Sequence, residues 1–360
     1  MHEHRPASAC KTLYNLGQSL WLDHITRGLI SSGGLNAYLS DFAVTGLTSN
    51  PTIFAKAFKN GDYTTAIAGK RQAGLSDEDI FFALAIEDLS AAAAAFRPIF
   101  ERTNGVDGWV SLEVSPLLAY DAAKTSAMAQ NLFKLAAQPN LFIKIPGTPE
   151  GLGAIEEAIF AGVPVNVTLL FSSEQYLAAA DAYLRGIERR VAAKLNPHVA
   201  AVASVFISRW DVAVSGKVPA SLNNKLGLAI AQRTYRAYSE LLNSSRWLRL
   251  ANLGARPQRL LWASTGTKDP QASDLIYVEG LAAALTVNTM PEATLKALAD
   301  HGKPSALMPH DGGDCESQLA SFKLAGINIF DLAMQLQQEG AIAFTKSWTE
   351  LMHEIHVAGR

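Results

Sequence analysis

Eight short apolar runs punctuate the chain: SLWLD (19–23), FAVTGLTSN (42–50), GWVSLEV (108–114), LFIKIP (141–146), VPVNVTLLF (163–171), VAAVASVFI (199–207), RLLWAS (259–264) and ALTVNT (284–289). Most carry β-branched or aromatic residues and end near Gly, Pro, Ser or Asn, so they read as strands. Between them the hydrophobic period lengthens. Ser76 before Asp77, Glu78 and Asp79 opens a helix with an N-cap hydroxyl and an acidic third position, running through Ala95. Leu152, Ile155 and Ile159 make a helical stripe within 151–161, and 172–185, 223–242, 292–300 and 328–338 read similarly. Strand and helix alternating eight times predict an α/β fold, a parallel (β/α)8 TIM barrel.

Two connections, 51–107 and 208–258, are longer than a plain βα unit needs, and neither has a linker-like stretch. They predict extra helices on one barrel domain over 13–360, preceded by a loose tail at 1–12. Residues 301–326 read as a Gly-, Pro- and His-containing loop. A terminal helical stretch through Trp348 and His353 is expected to pack on the barrel.

Composition narrows the function classes. The 360 residues are 49% hydrophobic and 18% charged, which is ordinary globular usage. A formal net charge of −2 gives no reason to expect nucleic acid or an anionic membrane as partner. An anionic small substrate would need a few placed cations. Cys10 and Cys315 cannot build a disulfide framework. The N-terminus has no signal-peptide core, and no apolar run approaches the ~18 residues that span a bilayer. The expectation is a soluble cytoplasmic protein.

Strand parity brings out the chemistry. In 141–146, Leu141, Ile143 and Ile145 share one face, and Phe142 and Lys144 the other. In 163–171, Val165, Val167 and Leu169 oppose Asn166 and Thr168; in 110–114, Val110, Leu112 and Val114 oppose Ser111 and Glu113. Ala203, Val205 and Ile207 oppose Ser204 and Phe206. Asp23 closes the first strand on the parity of Trp21, and Thr48 and Asn50 close the second. An unpaired charge inside a barrel is costly, so Asp23, Glu113 and Lys144 must neutralise one another or lie near a mouth. All three fall near C-terminal strand ends, the face where barrel active sites form.

Taken singly, each residue has a plainer reading. Lys144 could be an edge or surface lysine, Asp23 a helix cap and Glu113 a structural ion-pair partner. Asn166 and Thr168 could satisfy backbone groups. Their joint occurrence on matched positions of separate strands favours carbonyl chemistry. Three other features invite function and are read as structural. His310-Asp311-Gly312-Gly313-Asp314-Cys315 has ligand types in no zinc or calcium spacing, so no metal is assigned. Pro146 to Gly151 lacks the P-loop lysine and reads as a βα turn. His24 faces away from Asp23.

The stretches GLTSNPTIF (46–54), VSLEVSP (110–116), LFIKIPGTPEG (141–151), VNVTLLFS (165–172), LLWASTGTKDP (260–270) and TVNTMPEATL (286–295) resemble transaldolase motifs in strand order, over about residues 13–355. The likeness is to the longer bacterial type, some of which are fused to a glucose-6-phosphate isomerase. It implies a Schiff base on Lys144, acid/base work by Asp23 at the C4 hydroxyl, and a catalytic water positioned by Glu113 and Thr168. Thr48, Asn50, Asn166 and Ser204 would hold the dihydroxyacetone moiety, with Phe206 beside it. Arg209 and Ser264 would bind phosphate. Some relatives carry an arginine two residues after that serine; Gly266 stands there, and Lys268 is assigned in its place.

The implied reaction moves a dihydroxyacetone unit between sugar phosphates in the pentose phosphate pathway, from sedoheptulose 7-phosphate to glyceraldehyde 3-phosphate, giving erythrose 4-phosphate and fructose 6-phosphate. It needs no cofactor and no metal. The fused relatives make a glucose-6-phosphate isomerase a candidate partner, and the oligomeric state is left open. Two rivals stand beside this reading. One is a fructose-6-phosphate aldolase-type enzyme, against which the long helical insertions argue. The other is a non-catalytic barrel that serves as a binding partner.

Overall fold

The computed structural model describes residues 9–358. Eight strands form a closed barrel in sequence order, every neighbouring pair parallel: β1 Gln18–Asp23, β2 Val44–Thr48, β3 Trp109–Glu113, β4 Leu141–Pro146, β5 Val165–Leu170, β6 Ala201–Phe206, β7 Gln258–Ala263 and β8 Thr286–Met290. Each falls within or within one residue of its expected run. The long connections do carry extra helices, Pro51–Phe58, Thr64–Gln72 and Asp77–Arg102 in the first, and Ser208–Val214, Leu226–Leu242 and Ser245–Asn252 in the second.

The two faces of the strands enter two separate apolar clusters. Leu112, Ile143, Val165, Val167, Ala203 and Val205 pack outward against the helices. Trp21, Trp109, Phe142, Val202, Leu261 and Val287 fill the barrel interior. Trp109 stacks on Phe142 with ring centroids 4.0 Å apart, and Trp21 lies 6.1 Å from Phe142. These rings are the floor under Lys144. Gly46 makes room for them: a Cβ there would come within 2.6 Å of the Trp21 indole. Any larger residue would overpack the floor.

One strand departs from simple alternation. The β5–β6 register shifts between Val167 and Leu170, and Leu169 has φ +61°. Leu169, expected on the outer face with Val165 and Val167, therefore turns inward with Phe171, and Leu170 takes the outer position. A bulge adds a residue and reverses the alternation beyond it.

Other differences lie outside the barrel wall. Ala9–Asn15 is a helix with Cys10 and Leu13 buried, so residues 9–12 of the expected tail are ordered structure; residues 1–8 lie outside the described residues. Cys315–Leu324 is a helix within the stretch read as loop, anchored by Leu319 and Phe322. The expected helix at 328–338 and the terminal stretch are one helix, Ile329–Ala358. Both cysteines are free thiols. Among the described residues no helix is long and apolar enough to cross a membrane, and no cluster of potential metal ligands is assembled.

Candidate active site

A cavity of about 370 Å³ opens at the C-terminal end of the strands. Ten of the twelve residues singled out from the sequence line it: Asp23, Thr48, Asn50, Lys144, Thr168, Ser204, Phe206, Arg209, Ser264 and Lys268. Other cavities are as large or larger, but the one of about 500 Å³ at the opposite pole is mainly apolar and holds none of these groups. The charged and hydroxyl groups converge at one mouth.

Glu113 and Asn166 are the two that do not line it. Glu113 is buried beside Lys144, with Oε2 3.8 Å from Nζ, an ion-pair distance longer than a hydrogen bond. The β3–β4 register sets Glu113 directly opposite Lys144. Asn166 is fully buried, and its amide bonds two neighbours. Ser204 Oγ donates to its Oδ1 at 2.7 Å, and its Nδ2 donates to Ser111 Oγ at 3.2 Å. Asn166 thus orients Ser204 from below.

Lys144 Nζ donates to Ser49 O at 3.0 Å. Burial pushes the Glu113 carboxyl up to about 7, against the pull of the Lys144 ammonium and with a push from Asp23. Burial likewise raises Asp23, while Lys144 and the Thr48 hydroxyl draw it back. Neither Glu113 oxygen nor Thr168 Oγ1 has a protein hydrogen-bond partner, although all are buried. Buried polar groups are nearly always bonded to protein or water, so these are places for a water or a reacting group.

Asn50 caps the helix Pro51–Phe58, its Oδ1 accepting from Ile53 N at 3.0 Å. The Asn-Pro order suits a helix start, because proline at the first turn loses no needed donor. The carbonyl oxygen is engaged in the cap, and Asn50 also lines the cavity.

Across the mouth, Arg209 leaves the start of helix Ser208–Val214 with its guanidinium 5.0 Å from the Phe206 ring centroid. Burial pulls its pKa down, opposed by Glu339. Ser264 adopts φ +57° after β7, and its hydroxyl meets Ser208 Oγ at 2.8 Å. Arg209, Ser264 and Lys268 together can grip an anion bidentately.

Sequence reasoning missed Thr289, Lys56 and Phe344, which also line the cavity. Thr289 sits on the inward parity of Val287, so alternation in β8 was a usable signal. Lys56 follows Asn50 by six residues on one helix. Phe344 arrives on the C-terminal helix, which no local pattern ties to the site. His24 does not line the cavity, in keeping with its expected place.

Similarity to known proteins agrees with this geometry. A sequence model described as Transaldolase/Fructose-6-phosphate aldolase matches residues 20–355. The chain is 45% identical over 360 residues to a protein named Transaldolase from Saccharopolyspora erythraea (97% of each chain). It is 43% identical over 358 residues to one of the same name from Thermobifida fusca (97% of each chain). A third, from Thiobacillus denitrificans, is 42% identical over 354 residues, covering 96% of this chain and 99% of the relative. The barrel, the lysine at its mouth and these matches along nearly the whole sequence make this chain a member of the transaldolase/fructose-6-phosphate aldolase family.

Proposed function

We propose that this chain is a transaldolase, moving a dihydroxyacetone unit from a ketose phosphate to an aldose phosphate through a Schiff base on Lys144. The observation that carries the reading is one buried lysine between two carboxylates of raised pKa, in a cavity that ends in an arginine and a serine. The Lys144 amine adds to the C2 carbonyl. Loss of water from the carbinolamine gives the iminium, with protons moved by a water held between Glu113 and Thr168. Asp23 takes the C4 hydroxyl proton, the C3–C4 bond breaks, and its electrons pass into the iminium. An aldose phosphate leaves, and the three-carbon enamine stays on Lys144 until an acceptor aldehyde arrives.

Transfer rather than net cleavage requires the enamine to escape protonation at C3. The Asn50 amide and the Ser204 hydroxyl, fixed by Asn166, suit the hydroxyls of the bound unit and hold it in place. Arg209, Ser264 and Lys268 suit the phosphate. The substrates are sedoheptulose 7-phosphate and fructose 6-phosphate as donors, with erythrose 4-phosphate and glyceraldehyde 3-phosphate as acceptors. A glucose-6-phosphate isomerase acting on the same fructose 6-phosphate is the partner this reading suggests, in the cytoplasm.

Borohydride added with fructose 6-phosphate should fix a reduced three-carbon unit on Lys144, read by peptide mass. Modification of another residue would overturn the assignment. Release of free dihydroxyacetone at the same rate with and without an acceptor aldose would make the chain an aldolase instead.

A further inference from the structure

The C-terminal helix Ile329–Ala358 does more than cover the barrel. Gln337 is buried, and its Nε2 donates to two carbonyls, Gly147 O and Leu169 O, each at 2.9 Å. A primary amide nitrogen carries two hydrogens, and both are used. The two carbonyls lie at one junction. Gly147 follows β4, and its N–H donates to Thr168 O at 2.7 Å, continuing the ladder past Pro146. Leu169 is the residue at φ +61° where β5 bulges. One side chain therefore bridges the end of the strand that carries Lys144 and the bulge next to Thr168.

We propose that Gln337 is a positioning residue, setting the Thr168 hydroxyl relative to the Lys144 amine. The inference rests on the Schiff-base reading above. Two residues separate Gly147 from Lys144, and none separates Leu169 from Thr168. Thr168 Oγ1 has no protein partner of its own, so its place is set by the backbone that carries it. Without Gln337 the two buried carbonyls lose their shared donor, and the helix keeps only apolar packing, at Gly340, against the bulge. A displacement near 1 Å costs a reaction roughly 100-fold.

The test is Gln337→Met, which keeps length and bulk without a donor. Its kcat for transfer from fructose 6-phosphate is expected to fall about 10- to 100-fold, with KM within about threefold of wild type. The split matters because the same helix also approaches the phosphate grip. A Cβ on Gly340 would lie 3.2 Å from an Arg209 guanidinium nitrogen, so a helix that merely tilted would disturb Arg209 and raise KM. Slower imine trapping at Lys144 by borohydride should accompany the fall in kcat. An unchanged kcat, or a loss expressed in KM alone, overturns the proposal. Should the Met variant not fold, Gln337→Asn keeps the donors one methylene short, and wild-type kcat in that variant overturns it equally. Failure of wild-type protein to trap at Lys144 would sink the Schiff-base reading itself; normal trapping with an indifferent Gln337 sinks only this inference.

Discussion

The Thr48 hydroxyl lies 2.7 Å from Asp23 Oδ1 and 2.6 Å from the Thr289 hydroxyl. A threonine has one hydroxyl proton and an ionised carboxylate has none, so with Asp23 ionised the direction of the chain is set: Thr289 donates to Thr48, and Thr48 to Asp23. Thr48 lines the cavity, yet its only donor is turned to the base. Toward a substrate it is an acceptor.

Thr48→Val removes the one hydroxyl that draws the Asp23 pKa back from the rise caused by burial. The carboxyl then stays protonated to higher pH and is unable to accept the C4 proton. The acid limb of kcat/KM should move to higher pH, with activity at neutrality falling roughly tenfold, less than the roughly 100- to 10,000-fold that a general base contributes in full. Thr289→Val should shift it less, because Thr48 keeps its bond to Asp23. A full pH–rate profile measures both, and an unmoved limb in Thr48→Val would remove Thr48 from this role.

Glu113 gives the second pH signature. Its folded value of about 7 lies above its ordinary 4.5, so the folded chain holds this proton more tightly than the unfolded chain. The associated stability is complete below 4.5 and is lost as pH rises through about 7. In Glu113→Gln the difference in Tm between pH 5 and pH 8 should therefore shrink. The kinetic inflection near 7 should vanish as well, with kcat down roughly 100-fold from loss of the water-held proton relay. An inflection that persists in the variant would belong to another group.

The interior faces of β3, β4, β5 and β6 were legible because alternation needs only local sequence. Ser111, Glu113, Phe142, Lys144, Asn166, Thr168, Ser204 and Phe206 all follow it. Leu169 escaped because a bulge is a tertiary event: the extra residue reveals itself only in the pairing of β5 with β6. The Cys315–Leu324 helix was missed behind the two glycines at 312 and 313, which read as loop and do adopt positive φ just before it. Gln337 and Phe344 were out of reach for another reason. Their helix meets the mouth from far along the chain, and a single polar or aromatic residue on it carries no mark of what it faces.

Asn166 shows the limit of reading a role from position alone. Parity set it inside the barrel, which is correct, and the family likeness implied contact with the dihydroxyacetone unit. In the structure its amide bonds Ser204 and Ser111, which uses one of its two hydrogens and one of its two lone pairs. Asn166→Ala should release the Ser204 hydroxyl and raise the fraction of turnovers that release free dihydroxyacetone rather than transfer it. Product analysis with excess acceptor measures that partition, and an unchanged ratio would mean that Ser204 is held in place by other contacts.

Arg209→Lys tests the phosphate grip. A lysine keeps the charge but loses the planar fork and its fit over the Phe206 ring. KM for fructose 6-phosphate should rise about 10- to 100-fold, in line with losing about 1.5–3 kcal/mol of charge-assisted bonding. Slow turnover of unphosphorylated fructose should be unaffected, which separates phosphate binding from damage to the lysine.

The second cation is decided by comparing Lys268 with Lys56, since both line the cavity and both are exposed. Lys268 stands four residues beyond Ser264 on the loop after β7, next to β6 and the helix after it that carries Arg209. Lys56 belongs to the helix after β2, and in a closed eight-stranded barrel β2 lies opposite β6. A phosphate held by Arg209 and Ser264 should therefore feel Lys268 more than Lys56. Lys268→Gln is expected to raise KM for fructose 6-phosphate about threefold at low salt, and less at physiological ionic strength because exposed charges are screened there. Lys56→Gln should raise it by less than half as much. The opposite order in a salt series would move the second phosphate cation to Lys56 and make the fourth residue after Ser264 a surface lysine.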